Sequence, residues 1–394
     1  MQHEQRFTLP QPDPLSAEHS ARCAAYIAER IRDSGGSISF AEFMHYALYA
    51  QGLGYYSAGT RKFGADGDFV TAPEISPVFG NVLARQCAMV LDPIGDGSVL
   101  EFGAGSGKLA VDLLRALSRF DVLPAEYRII EVSADLRERQ QRLLRDELPG
   151  LAGKVVWLDR MPESHRGVII ANEVLDALPV ERFHVKDDVV RQLRVTDESG
   201  EFVFVDETAP EILADAIQAV ERDIGAKLPA NYVSEISLSA PGWISDLAGS
   251  LQLGVAFLFD YGVGRAEYYS GDRSEGWLRC HYRHRAHSDP LILPGIQDLT
   301  AWVDFSLVAA AAVEHGLDVA GYVSLAQFLL RGGLDKEVGD LTDLPLESQL
   351  ELSKQIKILT LPGEMGENVK CMGLARGDVP WPDAFEPDDR THTL

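Results

Sequence analysis

The sequence predicts an α/β fold in which a mostly parallel sheet is covered by helices on both faces and follows a helical N-terminal region. Short apolar runs typical of buried strands alternate with amphipathic helical patterns from about residue 97 onward. The alternation is interrupted at about residues 181–235, which we interpret as an inserted α+β segment. These observations favour one large α/β domain that carries an insertion.

The domain organisation follows from composition and periodicity. Residues 1–15 contain three prolines and little apolar material, which predicts a flexible tail. Residues 16–95 then form the helical region and an active-site loop. The α/β domain covers residues 96–376, with the insertion at about 181–235, and residues 377–394 form a C-terminal tail.

In the N-terminal region, Ser39 and Glu42 form the capping-box pattern of a helix start, and apolar residues recur after them with helical spacing. The segment from Gly52 to Phe79 is rich in Gly, Tyr and Pro and has no helical period. It predicts a long ordered loop, and loops of that length in compact domains are usually functional.

The α/β domain is expected to contain five strands of a parallel sheet. They are Ser98–Phe102, Tyr127–Ile130, Lys154–Leu158, Val168–Ala171 and Val255–Phe259. Helices are predicted after the first strand, from an N-cap at Ser133 to about Leu148, and over Leu299–His315.

The inserted segment contains a predicted β meander from Phe183 to Asp206, followed by a helix at Pro210–Ile224. Near the end of the chain, Val319–Val323 and Val369–Ala375 are expected to pair as an antiparallel hairpin. This hairpin would give the otherwise parallel sheet one antiparallel edge strand.

Composition excludes several function classes. The net charge of −24 opposes binding to nucleic acid and favours a basic partner, although an acidic surface also serves solubility alone. No apolar run approaches the roughly 18 residues of a membrane-spanning helix, and we recognise no secretory signal, so we expect a cytoplasmic protein without membrane insertion. The four cysteines are far apart, which argues against a zinc ribbon or a disulfide framework.

The most specific local signal is a glycine loop between the first strand and the helix after it, formed by Gly103, Gly105 and Gly107. Glycines in such a turn let the backbone bend tightly and approach a ligand. A P-loop would need Gly at position 102 and Ser or Thr at position 109, and a dinucleotide loop would need Gly where Lys108 stands. Both alternatives therefore fit poorly.

Rossmann-like proteins that bind S-adenosyl-L-methionine use a compressed glycine loop preceded by an acid, the position that Glu101 holds. An acid suits a ligand with cationic amino and sulfonium groups and repels a pyrophosphate. Glu131, after the second strand, is placed to accept hydrogen bonds from the ribose hydroxyls, and Asp159, after the third, to meet the adenine amino group. Together the acids predict S-adenosyl-L-methionine as cofactor and S-adenosylhomocysteine as product.

Longer motifs carry a resemblance. The strings G-D-F-V-T-A-P-E (Gly67 to Glu74) and A-N-E-V-L-D-A-L-P (Ala171 to Pro179) stand out. Shorter matching segments are Leu53–Tyr56, Phe63–Gly64, Phe79–Gly80, Glu131–Ser133, Asp260–Gly262, Pro294–Gly295, Asp298–Thr300 and Met365–Glu367. Over roughly residues 20–376 the chain resembles the MidA family, which includes the mitochondrial complex I assembly-factor methyltransferases and many bacterial relatives.

The resemblance implies a class I methyltransferase fold with an added helical N-terminal region. For the mitochondrial members it implies methylation of an arginine in a protein partner, a subunit of respiratory complex I. It also implies that Thr71 and Glu74 close over the cofactor, although conformational support of the loop is an equally good interpretation. The family usually has Pro, Arg and Thr where this chain has Ala104, Ser106 and Lys108, and Thr in place of Trp277. Cofactor binding is therefore expected to transfer, whereas substrate identity need not.

Catalytic candidates follow the fourth strand, because ligands of open α/β sheets bind at the carboxyl ends of the strands. Glu173 can hold a guanidinium in a forked, charge-assisted pair, and Asn172 offers an amide to the substrate or cofactor. Asp176 lies three residues after Glu173, where a helical turn would let it share the cation, or where it would merely cap a short helix.

A metal site is the alternative use of a histidine cluster. His281, His284 and His287 have a spacing that invites metal binding, but Arg279, Arg283 and Arg285 are interleaved and oppose a dication. We therefore predict no metal and interpret this segment as a basic lid.

Two further functions stay open beside arginine methylation. One is a non-catalytic assembly factor that binds the cofactor to hold a client protein, and the other is small-molecule methylation. The sequence leaves the oligomeric state open, and a homodimer is compatible with it.

Overall fold

The structure is a computed structural model that describes residues 9–57, 71–339, 344–386 and 389–394. The motif residues from Phe63 to Val70, which belong to the predicted active-site loop, lie outside the described residues. Within the described ranges no helix combines the length and the apolar character needed to cross a membrane.

The described residues form strands and helices in an alternating order. The strands are β1 (Ile38–Ser39), β2 (Ser98–Phe102), β3 (Tyr127–Ile130), β4 (Val155–Leu158), β5 (His165–Asn172), β6 (Glu181–Lys186), β7 (Val189–Glu198), β8 (Glu201–Thr208), β9 (Tyr232–Ile236), β10 (Leu251–Val263), β11 (Leu278–Tyr282), β12 (Arg285–His287), β13 (Asp298–Ala301), β14 (Val303–Asp304), β15 (Asp318–Ser324) and β16 (Val369–Arg376). The helices are α1 (Pro14–Asp33), α2 (Phe40–Tyr49), α3 (Ala72–Ile75), α4 (Pro77–Ile94), α5 (Lys108–Arg119), α6 (Ala134–Glu147), α7 (Glu211–Ile224), α8 (Ala240–Ser250), α9 (Arg265–Tyr268), α10 (Phe305–Glu314), α11 (Leu325–Arg331), α12 (Leu334–Val338), α13 (Leu346–Thr360) and α14 (Met365–Asn368).

The main sheet has the strand order β15-β16-β10-β5-β2-β3-β4, with the short β14 paired to the end of β10. Strands β10, β5, β2, β3 and β4 are parallel to one another, and β16 is antiparallel to both β10 and β15. The predicted fold class and the predicted pairing of β15 with β16 are therefore confirmed. The antiparallel strand, however, lies one place inside the edge, because β15 follows it.

Helices cover both faces of this sheet, since neighbouring residues of each buried strand point to opposite sides. Val99 of β2 belongs to an apolar cluster with residues of α4, α5 and α11, whereas Leu100 belongs to a cluster with residues of α8 and α10. The carboxyl ends of β2, β3 and β5 are consequently left open between the two helical layers.

Two glycines allow β5 and β10 to approach closely where both strands begin. Gly167 and Gly254 are register partners, and both have positive φ angles, of 126° and 141°. A Cβ atom on Gly254 would lie 1.8 Å from the carbonyl oxygen of Gly167. No side chain fits at this crossing.

The inserted segment forms a separate antiparallel sheet. The predicted meander is observed as β6, β7 and β8, with β9 and β1 completing the sheet, and the predicted helix is observed as α7. Helix α2 packs on this sheet through Phe40 and Phe43, whose rings contact Phe204 and Phe202. The predicted capping box of Ser39 and Glu42 is present at the start of α2.

Two N-terminal predictions are wrong in part. Helix α1 begins inside the predicted tail, because the Asp13 side chain accepts hydrogen bonds from the first turn and Pro14 suits the first helical position. The predicted loop from Gly52 to Phe79 contains α3 and the start of α4, which Ser76 caps and Pro77 begins.

The predicted helix over Leu299–His315 is also shorter than expected. Its first residues form β13 and β14, and the helix starts at Phe305 because the Asp304 side chain accepts a hydrogen bond from the Leu307 N–H. The apolar run before Asp304 fits a strand and a helix equally well, so periodicity could not separate them.

The predicted C-terminal tail packs against the main sheet. A single turn of 3₁₀ helix at Asp383–Phe385 places the Phe385 ring against Phe257 and Phe328. Phe385 is 3% exposed, so this part of the segment belongs to the core.

Candidate active site

A cavity of about 330 Å³ lies at the carboxyl ends of β2, β3 and β5, in the size range of small-molecule sites. The α/β domain supplies the glycine loop after β2 and the residues that follow β3 and β5. The N-terminal region supplies Tyr49, Tyr56, Thr71, Pro73 and Glu74. The site is therefore shared between the two predicted regions of the chain.

Two of the three predicted loop glycines line the cavity. Gly103 and Gly105 do so with positive φ angles of 61° and 53°. Gly107 does not line it but is the N-cap residue of helix α5 with a φ of 87°, and a Cβ atom there would lie 3.2 Å from Cγ of Gln140. The third glycine thus makes room for helix α6.

Glu101, the acid before the glycine loop, lines the cavity from β2 and is 3% exposed. The Tyr127 hydroxyl donates a hydrogen bond of 2.7 Å to its Oε2 atom. Burial raises the pKa of Glu101 to about 7 against this hydrogen bond. A nearby cation would restore the charged form.

Glu131 lines the cavity directly after β3. Its Oε1 accepts a hydrogen bond of 3.0 Å from the Ser133 N–H, and its Oε2 accepts one of 3.1 Å from the Gln140 amide. Burial raises the pKa of Glu131, while these hydrogen bonds oppose the shift. Two donors therefore orient the carboxylate.

The structure does not bring Asp159 to the cavity. Its side chain is 90% exposed and forms an ion pair of 2.8 Å with Arg137. Arg137 also donates hydrogen bonds to the carbonyl oxygens of Glu131 and Leu158, so it occupies the space between the ends of β3 and β4. Because Arg137 holds the Asp159 side chain at the surface, Asp159 is not placed for the predicted contact with adenine.

Thr71 and Glu74 lie at the cavity wall beside the glycine loop. The Ser106 hydroxyl of that loop donates a hydrogen bond to Oε1 of Glu74. The N-terminal region and the glycine loop are thus connected directly at the cavity.

Glu173 enters the cavity from a strained turn after β5, with a φ of 54°, and its N–H donates to the carbonyl oxygen of Phe259. Burial, together with the neighbouring Asp176, raises its pKa well above the usual range. Asn172 also lines the cavity, and its amide lies 3.4 Å from Oε1 of Glu173.

Asp260, in the last part of β10, anchors this turn by hydrogen bonds. One oxygen, Oδ2, accepts hydrogen bonds of 3.1, 2.8 and 3.2 Å from the N–H groups of Val174, Leu175 and Asp176. The family-specific string after β5 is therefore anchored by the aspartate of a second family motif. The two motifs lie more than 80 residues apart in the chain, so the sequence alone does not show that they meet.

Asp176 is buried behind the cavity wall and does not line it. The predicted helical turn from Glu173 to Asp176 is not formed. The backbone N–H groups of residues 174–176 donate to the Asp260 carboxylate instead. Burial, with the charges of Asp260 and Asp298, raises the pKa of Asp176.

Aromatic residues of the cavity were missed by sequence reasoning. The rings of Tyr49 and Tyr56 stack at 5.5 Å, and their hydroxyls donate to the carbonyl oxygen of Ala177 and to Oδ1 of Asp298. Trp243 of α8 packs edge-on against Phe102 at 5.1 Å. The Leu53–Tyr56 motif was the available signal for Tyr56, whereas nothing in the pattern marked Trp243.

The cavity has an acidic lining, which favours some classes of ligand over others. Glu74, Glu101, Glu131 and Glu173 line it, and among the described lining residues none is Lys, Arg or His. Such a cavity attracts cations and opposes phosphate groups. The three histidines interpreted as a lid lie on β11, β12 and the turn between them and do not line it, and the described residues include no cluster suited to a metal ion.

Comparison with known proteins gives a consistent result. Residues 82–323 match the model of a family described as "Putative S-adenosyl-L-methionine-dependent methyltransferase". A mitochondrial protein arginine methyltransferase NDUFAF7 homolog of Drosophila melanogaster is 28% identical, with 93% of this chain and 89% of that protein covered. The mouse protein arginine methyltransferase NDUFAF7 is 30% identical, with 86% and 81% covered.

Solved structures extend the similarity to the whole chain. A Burkholderia thailandensis protein described as a "likely methyl transferase", crystallised with S-adenosyl-homocysteine, is 41% identical and superimposes with a TM-score of 0.92. The match covers 98% of this chain and all of that one.

Proposed function

Because the chain belongs to the MidA-type family of S-adenosyl-L-methionine-dependent methyltransferases, we propose that it methylates an arginine side chain of a partner protein. The observation that carries the proposal is Glu173, a half-buried carboxylate in a cavity whose described lining offers it no cationic partner. A guanidinium is the side-chain cation best matched to a carboxylate, because it donates two parallel hydrogen bonds.

The cofactor is S-adenosyl-L-methionine, and the residues of the cavity fit it. An acidic lining with flexible glycines suits a nucleoside that carries an ammonium and a sulfonium and has no phosphate. The chemistry that the cofactor supplies is an electrophilic methyl group, so that a new N–C bond forms as the S–C bond breaks and S-adenosylhomocysteine leaves.

We assign the cofactor contacts to residues on opposite sides of the cavity. Gly103 and Gly105 let the backbone approach the ligand, Glu101 faces its cationic groups, and Glu131 accepts hydrogen bonds from the ribose hydroxyls. Thr71 and Glu74 close the cavity from the N-terminal side. The position of each of these residues at the cavity wall supports the assignment.

Glu173 orients the substrate in this proposal. Its carboxylate pairs with two guanidinium nitrogens and leaves the third nitrogen free to attack the methyl group. The Asn172 side-chain amide donates a hydrogen bond to the same carboxylate. Because burial raises its pKa, Glu173 is also suited to accept the proton that the attacking nitrogen loses. Asp176 acts indirectly, as the neighbouring carboxyl group that helps to raise the pKa of Glu173.

A transfer assay tests the proposal. Purified protein is incubated with methyl-labelled S-adenosyl-L-methionine and cell extract, and the proteins are hydrolysed in acid. We expect label in methylarginine. Glu173→Gln should reduce transfer on the order of 100-fold, since removing one partner of a buried charge pair costs about 2–5 kcal/mol. Cofactor affinity should stay within about threefold, and Glu163→Gln, an exposed glutamate outside the cavity, should match the wild type.

Other outcomes separate the alternatives. Label in amino acids other than methylarginine would remove the arginine assignment, and label only in small molecules would favour small-molecule methylation. If Glu173→Gln abolished transfer but left assembly of a client protein intact, the non-catalytic function would be favoured.

The partner is proposed to be basic, since the chain carries a net charge of −24. Its identity as a subunit of a respiratory complex, the cytoplasmic location and a homodimeric state stay predictions.

A further inference from the structure

Gln140 lies outside every motif that the sequence revealed, yet it contacts three parts of the site. Its amide nitrogen donates to the carbonyl oxygen of Gly105 at 2.9 Å and to Oε2 of Glu131 at 3.1 Å. Its amide oxygen accepts a hydrogen bond of 2.8 Å from the indole N–H of Trp157. The side chain is fully buried on helix α6, and both of its donor hydrogens have acceptors.

The amide does not line the cavity itself but stands behind two residues that do, Gly105 and Glu131. An ionised carboxyl group can accept about four hydrogen bonds, and here Ser133 and Gln140 each use one of them. Because Glu131 lines the cavity, its remaining acceptor capacity is available to a ligand there, and the two donors restrict the orientation of the carboxyl group.

The third loop glycine makes this arrangement possible. A Cβ atom on Gly107 would lie 3.2 Å from Cγ of Gln140, closer than an ordinary contact. Trp157 of β4 in turn fixes which end of the amide faces the glycine loop, because an indole N–H can only donate. Helix α6 thus approaches the loop at Gly107, which, unlike Gly103 and Gly105, does not line the cavity.

We propose that Gln140 is a positioning residue that determines the affinity of the site for the ribose hydroxyls of the cofactor, by orienting Glu131 and the carbonyl of Gly105. The inference rests on the proposed function, in which Glu131 accepts hydrogen bonds from the ribose. It predicts that the contribution of the two ribose hydroxyls to ligand affinity depends on the Gln140 amide.

The test is a cycle of two ligands and two proteins. Affinities of S-adenosylhomocysteine and its 2′,3′-dideoxy analogue are measured by calorimetry for the wild type and for Gln140→Met, which keeps the size of the side chain and removes its donors. The wild type should prefer the hydroxylated ligand by on the order of 100-fold, as expected for hydrogen bonds to a charged acceptor. In Gln140→Met this preference should fall to about tenfold or less.

If Gln140 had a purely structural role, Gln140→Met would lose affinity equally for both ligands. That outcome would overturn this inference and leave the proposed function intact. Absence of binding by the wild type would overturn the proposed function as well, and equal binding of both ligands by the wild type would remove the ribose contact of Glu131. Gln141→Met, the same replacement at the neighbouring, partly exposed position of helix α6, controls for folding and should retain most of the ligand preference.

Discussion

Glu101 shows how one buried side chain links the cavity to the stability of the protein. Its pKa is raised to about 7 by burial, so the folded state binds a proton that the unfolded state has already released above about pH 4.5. The contribution of Glu101 to stability is therefore highest at low pH and declines as the pH rises through 7.

We expect Glu101→Gln to remove this pH dependence. Between pH 4.5 and 8 the cofactor-free wild type should lose about 3 kcal/mol of unfolding free energy that the variant keeps. Glutamine can still accept the hydrogen bond from Tyr127, so packing is retained. Urea unfolding of both proteins at pH 4.5 and pH 8 measures this loss, and the comparison of the two proteins cancels the contribution of the other buried carboxyl groups. Parallel profiles would show that Glu101 is ionised throughout.

Single residues also show what the sequence reveals about a site. Glu101, Glu131 and Glu173 could be predicted because each stands at the carboxyl end of a buried strand, where the topology brings ligands. Gln140 could not, because its contacts depend on the angle at which a helix crosses the glycine loop. Asp159 occupied the expected position in the chain, but an arginine on the neighbouring helix determined where its side chain points.

At the scale of secondary structure elements, the crossing of β5 and β10 limits what the sheet can tolerate. Gly254→Ala would force a Cβ atom onto the Gly167 carbonyl at a φ that only glycine adopts readily. We expect a loss of about 3 kcal/mol or more in unfolding free energy, measured by urea denaturation.

Gly249→Ala is the matched control, because the same methyl group on helix α8 would meet open space. It should be neutral or stabilise the protein by up to about 1 kcal/mol. If both variants unfolded at the same urea concentration, the close approach of the two strands would not be a feature of the protein in solution.

The elements themselves were predictable where one pattern dominates. Strands β2 and β3 and helix α6 agree with their predicted bounds to within a residue, since each has a clear period and a clear start. The strands β13 and β14 were hidden in a helical prediction, because their partners β11 and β10 are supplied by distant segments and no local pattern reports them. Pairing with these strands, and not the local sequence, makes residues 298–304 extended.

At the scale of the whole molecule, the C-terminal segment closes the core. Its composition predicted a tail, but the ring of Phe385 fills a space left by Gly321 and Gly373, where Cβ atoms would approach it to 2.5 and 2.4 Å. Complementarity between a ring and two distant glycines cannot be recognised in a local sequence window.

Phe385→Ala should therefore lower the unfolding free energy by about 3–5 kcal/mol, as for other buried phenylalanines. Thermal and urea denaturation measure the change, and Trp381→Ala, whose side chain is 47% exposed, serves as the control with a much smaller expected effect. Equal losses in the two variants would mean that the segment does not dock on the sheet.

The wall formed by Tyr49, Tyr56, Thr71 and Glu74 precedes residue 82, where the match to the family model begins. In the proposed function, most of the residues assigned to the methyl donor thus lie within the matched segment, and residues that precede this segment enclose the cavity from the other side. Divergence in that stretch can change which acceptor is admitted while the donor stays the same. Relatives that share the core are then expected to agree on the reagent and to differ in the molecule they modify.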